Sequence, residues 1–208
     1  MQGARLRARI AKALPVVELP GALALRCHAA TPQSRLSQLA DGAPYWAWLW
    51  PGGAALIAHL AAMPEVARGQ RVLDLGAGGG LVGIAALKCG AAAVLASEVD
   101  PVAREVCAMN AALNGIAVEV VGDLLDGPVP EVDLVLVGDL FYEADLAVRV
   151  MPFLRRATGQ GAEVLVGDIG RAHLPVDGLV AVAEYPVRDF GDPPGQAAHR
   201  GGVFRLAL

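Results

Sequence analysis

Short apolar runs and longer mixed segments alternate along the chain from residue 70 onward. The apolar runs are bounded by glycine, proline or acidic residues and predict strands at residues 70–75, 92–97, 118–121, 132–137 and 162–166. The segments between them predict helices at residues 81–89, 101–114 and 144–157. Strands that alternate with helices form a mostly parallel sheet, so the pattern indicates an α/β fold with helices on both faces. Residues 179–187 and 203–208 predict two closing strands, which makes seven in all.

The residues before position 44 differ from this pattern, and we expect an N-terminal extension at 1–43 and a main domain at 44–208. Residues 1–14 are basic and contain no acid, which predicts a solvated helix. Residues 16–20 and 22–28 predict short extended pieces.

A stretch without charged residues, 42–64, has the length of a membrane span. Pro51, Gly52 and Gly53 interrupt it, so we expect buried surface without a membrane partner, and a helix only at 54–63.

All three tryptophans lie at alternate positions in this stretch, as Trp46, Trp48 and Trp50. In an extended segment this spacing puts them on one side, where they either wall a pocket or plug the edge of a core.

Composition narrows the possible functions. The 208 residues, 55% of them apolar, suit one domain with a sizeable core. A net charge of −4 without a long basic run indicates no nucleic-acid partner, and we expect a monomer that acts on a protein or a small molecule. Cys27, Cys89 and Cys107 form no Cys-x-x-Cys pair, which argues against disulfides and zinc and favours the cytoplasm. No histidine cluster has metal-ligand spacing, so no metal is expected.

The most informative stretch follows the first strand of the main domain and contains Asp74, Gly76, Gly78 and Gly80. A dinucleotide fingerprint would need glycine at position 81, where Leu81 stands. The observed pattern resembles motif I of the class I, seven-stranded S-adenosylmethionine-dependent methyltransferases. That cofactor has no phosphate and carries an ammonium and a sulfonium, so a carboxylate beside the loop suits it. A glycine-rich turn of any α/β protein is the alternative.

Further carboxylates stand where later strands end, the edge at which open α/β sheets bind ligands. Glu98 follows the second strand and is expected to accept hydrogen bonds from ribose hydroxyls. Asp100 is either a ligand of the cofactor or the N-cap of the next helix, which Pro101 at the first helical position supports. Asp123 follows the third strand; the class I resemblance implies that it accepts from the adenine amino group, and a turn aspartate is the alternative.

A second informative stretch, Gly138-Asp139-Leu140-Phe141-Tyr142-Glu143, follows the fourth strand. Its Asp-x-x-Tyr spacing resembles the signature of the family sixteen protein-lysine methyltransferases. Residues 44–53 and 166–175 resemble the Trp-Pro-x-Gly and Gly-Asp-x-Gly-Arg elements of the members that modify the electron transfer flavoprotein β subunit. The resemblance implies a Rossmann-like fold with a C-terminal antiparallel hairpin, S-adenosylmethionine as methyl donor, and that β subunit as protein partner. The family more often has Asp at position 98, where this chain has Glu98.

A lysine acceptor sets the expected roles of these residues. We expect Asp139 to orient the acceptor ammonium and to border the cofactor as well. Tyr142 and the tryptophans could hold the charged side chain by cation–π contact, with Trp50 as a lid over the methionine end of the cofactor. A small-molecule N- or O-methyltransferase on the same fold stays open, as does a nucleotide-binding module or NAD-dependent enzyme.

Overall fold

A central sheet flanked by helices organises the chain, whose computed structural model describes residues 2–31, 34, 36, 39, 44–189, 192 and 198–207. In chain order the elements are α1 (Gln2–Ala13), β1 (Val16–Glu18), β2 (Arg26–His28), α2 (Pro51–Ala62), β3 (Arg71–Leu75), α3 (Leu81–Lys88), β4 (Ala93–Ser97), α4 (Pro101–Leu113), β5 (Glu119–Val121), β6 (Leu134–Gly138), α5 (Ala144–Gly159), β7 (Glu163–Asp168), β8 (Leu179–Val187) and β9 (His199–Leu206). None of these helices is long and apolar enough to cross a membrane.

The sheet has seven strands in the order β5-β4-β3-β6-β7-β9-β8. Strands β3 to β7 are parallel, and β9 runs antiparallel to both β7 and β8. The α/β class, the mostly parallel sheet and the closing antiparallel hairpin are therefore confirmed. The strand order reverses between β3 and β6, so a crevice lies at the carboxyl ends of these two strands, where open α/β sheets bind ligands.

Most element boundaries lie within two residues of those predicted from the apolar pattern. The largest difference in the hairpin is β9, which begins at His199 rather than at residue 203. Gly201 and Gly202 pair with Tyr185 and Glu184, so this glycine pair lies inside a strand instead of ending it. Leu208, the last residue of the predicted strand, lies outside the described residues.

Helix α2 corrects the prediction that the Pro-Gly-Gly sequence precedes the helix. It begins at Pro51, and Gly52 and Gly53 belong to its first turn. A Cβ at Gly52 would overlap the carbonyl oxygen of Gly167 in β7, and one at Gly138 in β6 would come within 3.0 Å of the Gly53 Cα. Glycine is needed here because helix backbone and strand backbone touch, and this contact sets the helix N-terminus against the carboxyl ends of β6 and β7.

The tryptophan stretch also differs from the extended segment predicted for it. Residues Tyr45–Ala47 form a 3-10 turn, closed by a hydrogen bond from the Ala47 amide to the Pro44 carbonyl. Trp46 packs with the buried side chains of α1 and α4, and Trp48 is partly buried against the same cluster. The prediction of an extended segment is therefore wrong over residues 45–47, although all three indoles line one cavity.

The N-terminal elements pack against α4. Strands β1 and β2 pair antiparallel, and the α1 residue Arg7 forms an ion pair with Glu105. Asn110 of α4, 1% exposed, accepts a hydrogen bond from the His28 amide and donates one to the Gly79 carbonyl. This side chain links β2 to the glycine-rich turn. Residues 1, 32, 33, 35, 37, 38 and 40–43 of the predicted extension lie outside the described part, and the division at residue 44 stays a prediction.

Candidate functional site

A cavity of about 550 Å³ opens at the carboxyl ends of β3, β4 and β6. Its volume is that of a site for a cofactor-sized molecule. Nine of the ten residues predicted from the sequence line it, namely Trp50, Asp74, Gly76, Gly78, Glu98, Asp100, Asp123, Asp139 and Tyr142. Gly80 does not line it: a side chain there would overlap Cys107, and its φ of +76° places it in the left-handed region just before α3. Packing and backbone conformation account for glycine at that position.

The glycine-rich turn between β3 and α3 forms the floor of the cavity. Gly76 and Gly78 have φ values of +69° and +52°, which L-residues with side chains rarely adopt. A Cβ on Gly76 would overlap the Leu140 side chain. The Gly78 amide donates to Glu98 Oε2 at 2.8 Å, so the turn is tied to the end of β4.

Asp74 is buried at the end of β3 and faces the same cavity. Its Oδ2 accepts a hydrogen bond from the Gly83 amide of α3 at 2.8 Å. Burial raises its pKa to about 7, and the neighbouring charge of Glu98 adds to this effect, while the Gly83 hydrogen bond opposes it. A cation in the cavity would stabilise the ionised carboxylate.

Glu98 is held at both carboxylate oxygens. Oε2 accepts from the Gly78 amide and Oε1 accepts from the Asp100 amide at 2.9 Å. Burial raises the pKa of Glu98, and these two hydrogen bonds work against that rise. The carboxylate is thus fixed in place, and each oxygen keeps acceptor capacity for a ligand hydroxyl.

Asp100 and Asp123 are engaged with protein groups in addition to lining the cavity. Asp100 is the N-cap of α4, with Oδ1 accepting from the Val102 amide at 2.7 Å, and its Oδ2 accepts from Trp46 Nε1 at 2.8 Å. Asp123 Oδ2 accepts from Arg149 Nη2 at 2.7 Å. Burial acts to raise the pKa of Asp123, but the hydrogen bonds from Arg149 and the Leu125 amide, together with the charge of Arg149, lower the pKa overall. Their roles toward a cofactor stay predictions.

Asp139 is the carboxylate beside β6 and α2, and it has a φ of +54°. Oδ2 accepts from the Gly53 amide at 2.9 Å, and Oδ1 accepts from Arg171 Nη2 at 3.1 Å and Nε at 3.2 Å. Burial raises its pKa, whereas Gly53 and Arg171 pull it down. The close approach of α2 to the strands is what brings the Gly53 amide to this carboxylate.

Aromatic rings surround the opening of the cavity. The Tyr45 ring lies 5.8 Å from Tyr142 and 6.0 Å from Trp50, centroid to centroid, and Trp48 lies 6.3 Å from Trp50. Tyr45 and Tyr142 are 52% and 43% exposed, so both rings border solvent. The Arg171 guanidinium carbon lies 5.7 Å from the Trp50 ring centroid. We call Tyr45, Trp50 and Tyr142 the aromatic mouth.

The lining residues that the predicted set lacks include three with polar or charged head groups, Tyr45, Arg149 and Arg171. Tyr45 and Arg171 stand inside motifs that were singled out, but the motifs did not indicate which of their side chains reach the cavity. Arg149 belongs to α5. The sequence pattern of that helix predicts which of its faces is buried, but not that Arg149 reaches the cavity. Its pairing with Asp123 joins residues 26 apart in sequence and leaves no local signal.

Comparison with known proteins bears on this site. A family model described as "Ribosomal protein L11 methyltransferase (PrmA)" matches residues 57–160, half of the chain. The "Electron transfer flavoprotein beta subunit lysine methyltransferase" of Xenopus laevis is 42% identical over 159 residues, which is 71% of this chain and 63% of that protein. The human protein of the same name is 40% identical over 131 residues, 62% of this chain and 50% of its own length.

Solved structures agree on the fold. A ribosomal protein L11 methylase from Lactobacillus delbrueckii subsp. bulgaricus superposes with a TM-score of 0.50 at 20% identity, covering 73% of this chain and 80% of the other. This chain spans only about half to just under two thirds of the lengths of the two flavoprotein-directed relatives.

Proposed function

The chain belongs to the methyltransferase family described as ribosomal protein L11 methyltransferase (PrmA), and we propose that it transfers methyl groups from S-adenosylmethionine to lysine side chains of a protein. The carboxylate of Asp139 behind the aromatic mouth, beside the glycine-rich turn, supports this function best. An acidic group reached past aromatic rings suits an alkyl ammonium, which gains from both ion pairing and cation–π contact. A neutral hydroxyl or an acidic acceptor gains neither.

The residues of the cavity fit a cationic, phosphate-free methyl donor. Glu98 would accept from the ribose hydroxyls and Asp123 from the adenine amino group, with Trp50 covering the methionine end. Asp74 would offer its negative charge to the donor's cationic groups. S-adenosylmethionine, when bound, supplies an activated methyl group on a sulfonium.

The acceptor side has to deliver a neutral amine, although a free lysine side chain has a pKa of about 10.4. The aromatic mouth would exclude water and guide the side chain inward, and Asp139 would orient the nitrogen. The neutral nitrogen would then form the N–C bond with its lone pair, while the electron pair of the donor's C–S bond would remain on sulfur. The ammonium proton leaves to solvent before transfer. Such a reaction depends mainly on positioning.

The first candidate substrate is the electron transfer flavoprotein β subunit, because the relatives at 40% and 42% identity carry that substrate in their names. The enzyme's net charge of −4 and its acidic site favour lysines in basic surroundings. Incubation with labelled S-adenosylmethionine and the purified β subunit, followed by mass spectrometry, should find methylated lysines. Label on a different protein would keep lysine transfer and remove this substrate, whereas label on small amines or hydroxyl compounds alone would favour a small-molecule methyltransferase.

Cofactor binding should depend on pH through Asp74. Its pKa of about 7 without ligand should fall when a cation binds, so binding should release protons below pH 7. Affinity for S-adenosylmethionine should drop as pH falls through 7, and level off above it. Calorimetry in buffers of different ionisation enthalpy measures the proton release. Asp74→Asn should abolish that release, and an unchanged release in this variant would assign it to another group.

The cytoplasmic location and the monomeric state stay predictions. The three cysteines are free and buried, which is compatible with a reducing compartment. Size-exclusion chromatography coupled to light scattering would determine the oligomeric state.

A further inference from the structure

Arg171 makes the two contacts that a substrate ammonium is expected to make. Its guanidinium pairs with Asp139 Oδ1 through Nε and Nη2, and its carbon lies 5.7 Å from the Trp50 ring centroid. Because Asp139 Oδ2 is committed to the Gly53 amide, neither oxygen of this carboxylate lacks a protein donor. A lysine ammonium that binds Asp139 has to compete with Arg171.

The Arg171–Asp139 pair is longer than the ion pairs that Arg149 and Arg71 form. Its N–O distances of 3.1 and 3.2 Å exceed the 2.7 Å of Arg149–Asp123 and the 2.8 Å of Arg71–Asp133. Charge-assisted hydrogen bonds of this kind are normally shorter, about 2.7–2.9 Å. The Arg171 side chain is 22% exposed, so its head group has a path to solvent, whereas that of Asp139 is 8% exposed.

The backbone of Arg171 is anchored independently of its side chain. Asp168 Oδ1 accepts from the amides of Gly170 and Arg171, both at 2.7 Å, and Asp168 is fully buried at the end of β7. The guanidinium can therefore leave Asp139 by rotation of the side chain while the turn stays in place. Its return would be fast, because the tethered cation remains close to the carboxylate.

We propose that Arg171 occupies the acceptor's place against Asp139 and Trp50, and that a substrate ammonium enters by displacing it. This rests on the proposed function, in which the acceptor is an amine. Between turnovers, the Arg171 guanidinium balances the negative charge of the buried Asp139 carboxylate. It also selects the acceptor: only a cation can replace a cation on Asp139 without leaving a buried charge unpaired, which would be costly.

The probe for this exchange is n-butylammonium, a lysine side chain without its backbone, with n-butanol as the neutral control. Titration is followed by calorimetry in the presence of S-adenosylhomocysteine. Arg171→Met removes the internal cation and should bind n-butylammonium about tenfold more tightly than wild type. Arg171→Lys keeps a cation and should bind as weakly as wild type. Arg155→Met removes an exposed arginine of α5 that does not line the cavity, and it should leave the affinity for n-butylammonium unchanged.

Equal affinity in wild type and Arg171→Met, or weaker binding in Arg171→Met, would overturn the proposal. If Arg171→Met does not fold, the wild type decides: the ¹⁵N-bound Nε–H signal of Arg171 should shift when n-butylammonium saturates the site, and an unmoved signal rejects displacement. Neither readout needs methyl transfer. A failure of lysine methylation therefore counts against the proposed function alone, and a failure of the amine to displace Arg171 counts against this inference alone.

Discussion

Replacing Asp139 with alanine should lower methyl transfer by about 100-fold or more and leave the affinity for S-adenosylhomocysteine close to that of wild type. The side chain holds the α2 N-terminus through Gly53 and the Arg171 head group through its other oxygen. Without it, the acceptor nitrogen loses the carboxylate that orients it, and Arg171 loses the partner that holds its head group in place. Single-turnover rates with the protein substrate, and calorimetry with S-adenosylhomocysteine, measure the two effects separately.

Two further variants make the Asp139 result specific. Asp139→Asn keeps an oxygen for the Gly53 amide but turns an NH₂ group toward Arg171, so it should preserve the helix position and still lose transfer. Asp177→Ala removes an exposed carboxylate that does not line the cavity, and its rate should match wild type. An equal loss of S-adenosylhomocysteine affinity in both Asp139 variants would place the residue in the donor site and contradict the assigned role.

The fold was predictable because each strand carries its own local signal. The run Leu134–Gly138 is apolar almost throughout, and its first four residues are buried, as expected for a central parallel strand covered on both faces. The glycine-rich turn is similarly local, since the positive φ angles of Gly76 and Gly78 restrict those positions to glycine almost regardless of the rest of the chain.

The contacts that define the acceptor side were not predictable in this way. The Pro-Gly-Gly sequence is typical of a break, and the close approach of the β6 and β7 backbones explains why glycines occupy the first turn of α2. The pairing of Arg171 with Asp139 joins residues 32 positions apart and depends on β6 and β7 being neighbours with matched ends. Sequence patterns show which helix or strand a residue belongs to. A pairing such as Arg171–Asp139 depends in addition on how neighbouring strands are aligned with each other.

Glu98→Gln should weaken the binding of S-adenosylhomocysteine by about 100-fold. The Glu98 carboxylate accepts from the Gly78 amide at one oxygen and from the Asp100 amide at the other. A glutamine amide has only one oxygen, so its NH₂ group must face one of these two N–H donors. That clash would loosen the glycine-rich turn. The substitution would also remove one of the two oxygens that could accept hydrogen bonds from the ribose hydroxyls.

A second substitution at position 98 separates the effect of the negative charge from that of side-chain length. Glu98→Asp keeps two acceptor oxygens on a shorter side chain, the residue more common in the resembling family, and should retain most of the affinity. Glu119→Gln makes the same chemical change on an exposed position of β5 and should bind as wild type. Wild-type binding of S-adenosylhomocysteine by Glu98→Gln would show that the ribose is held elsewhere. Binding of NAD in place of S-adenosylhomocysteine by the wild-type protein would instead reject the donor, because Glu98 would then serve a different nucleotide.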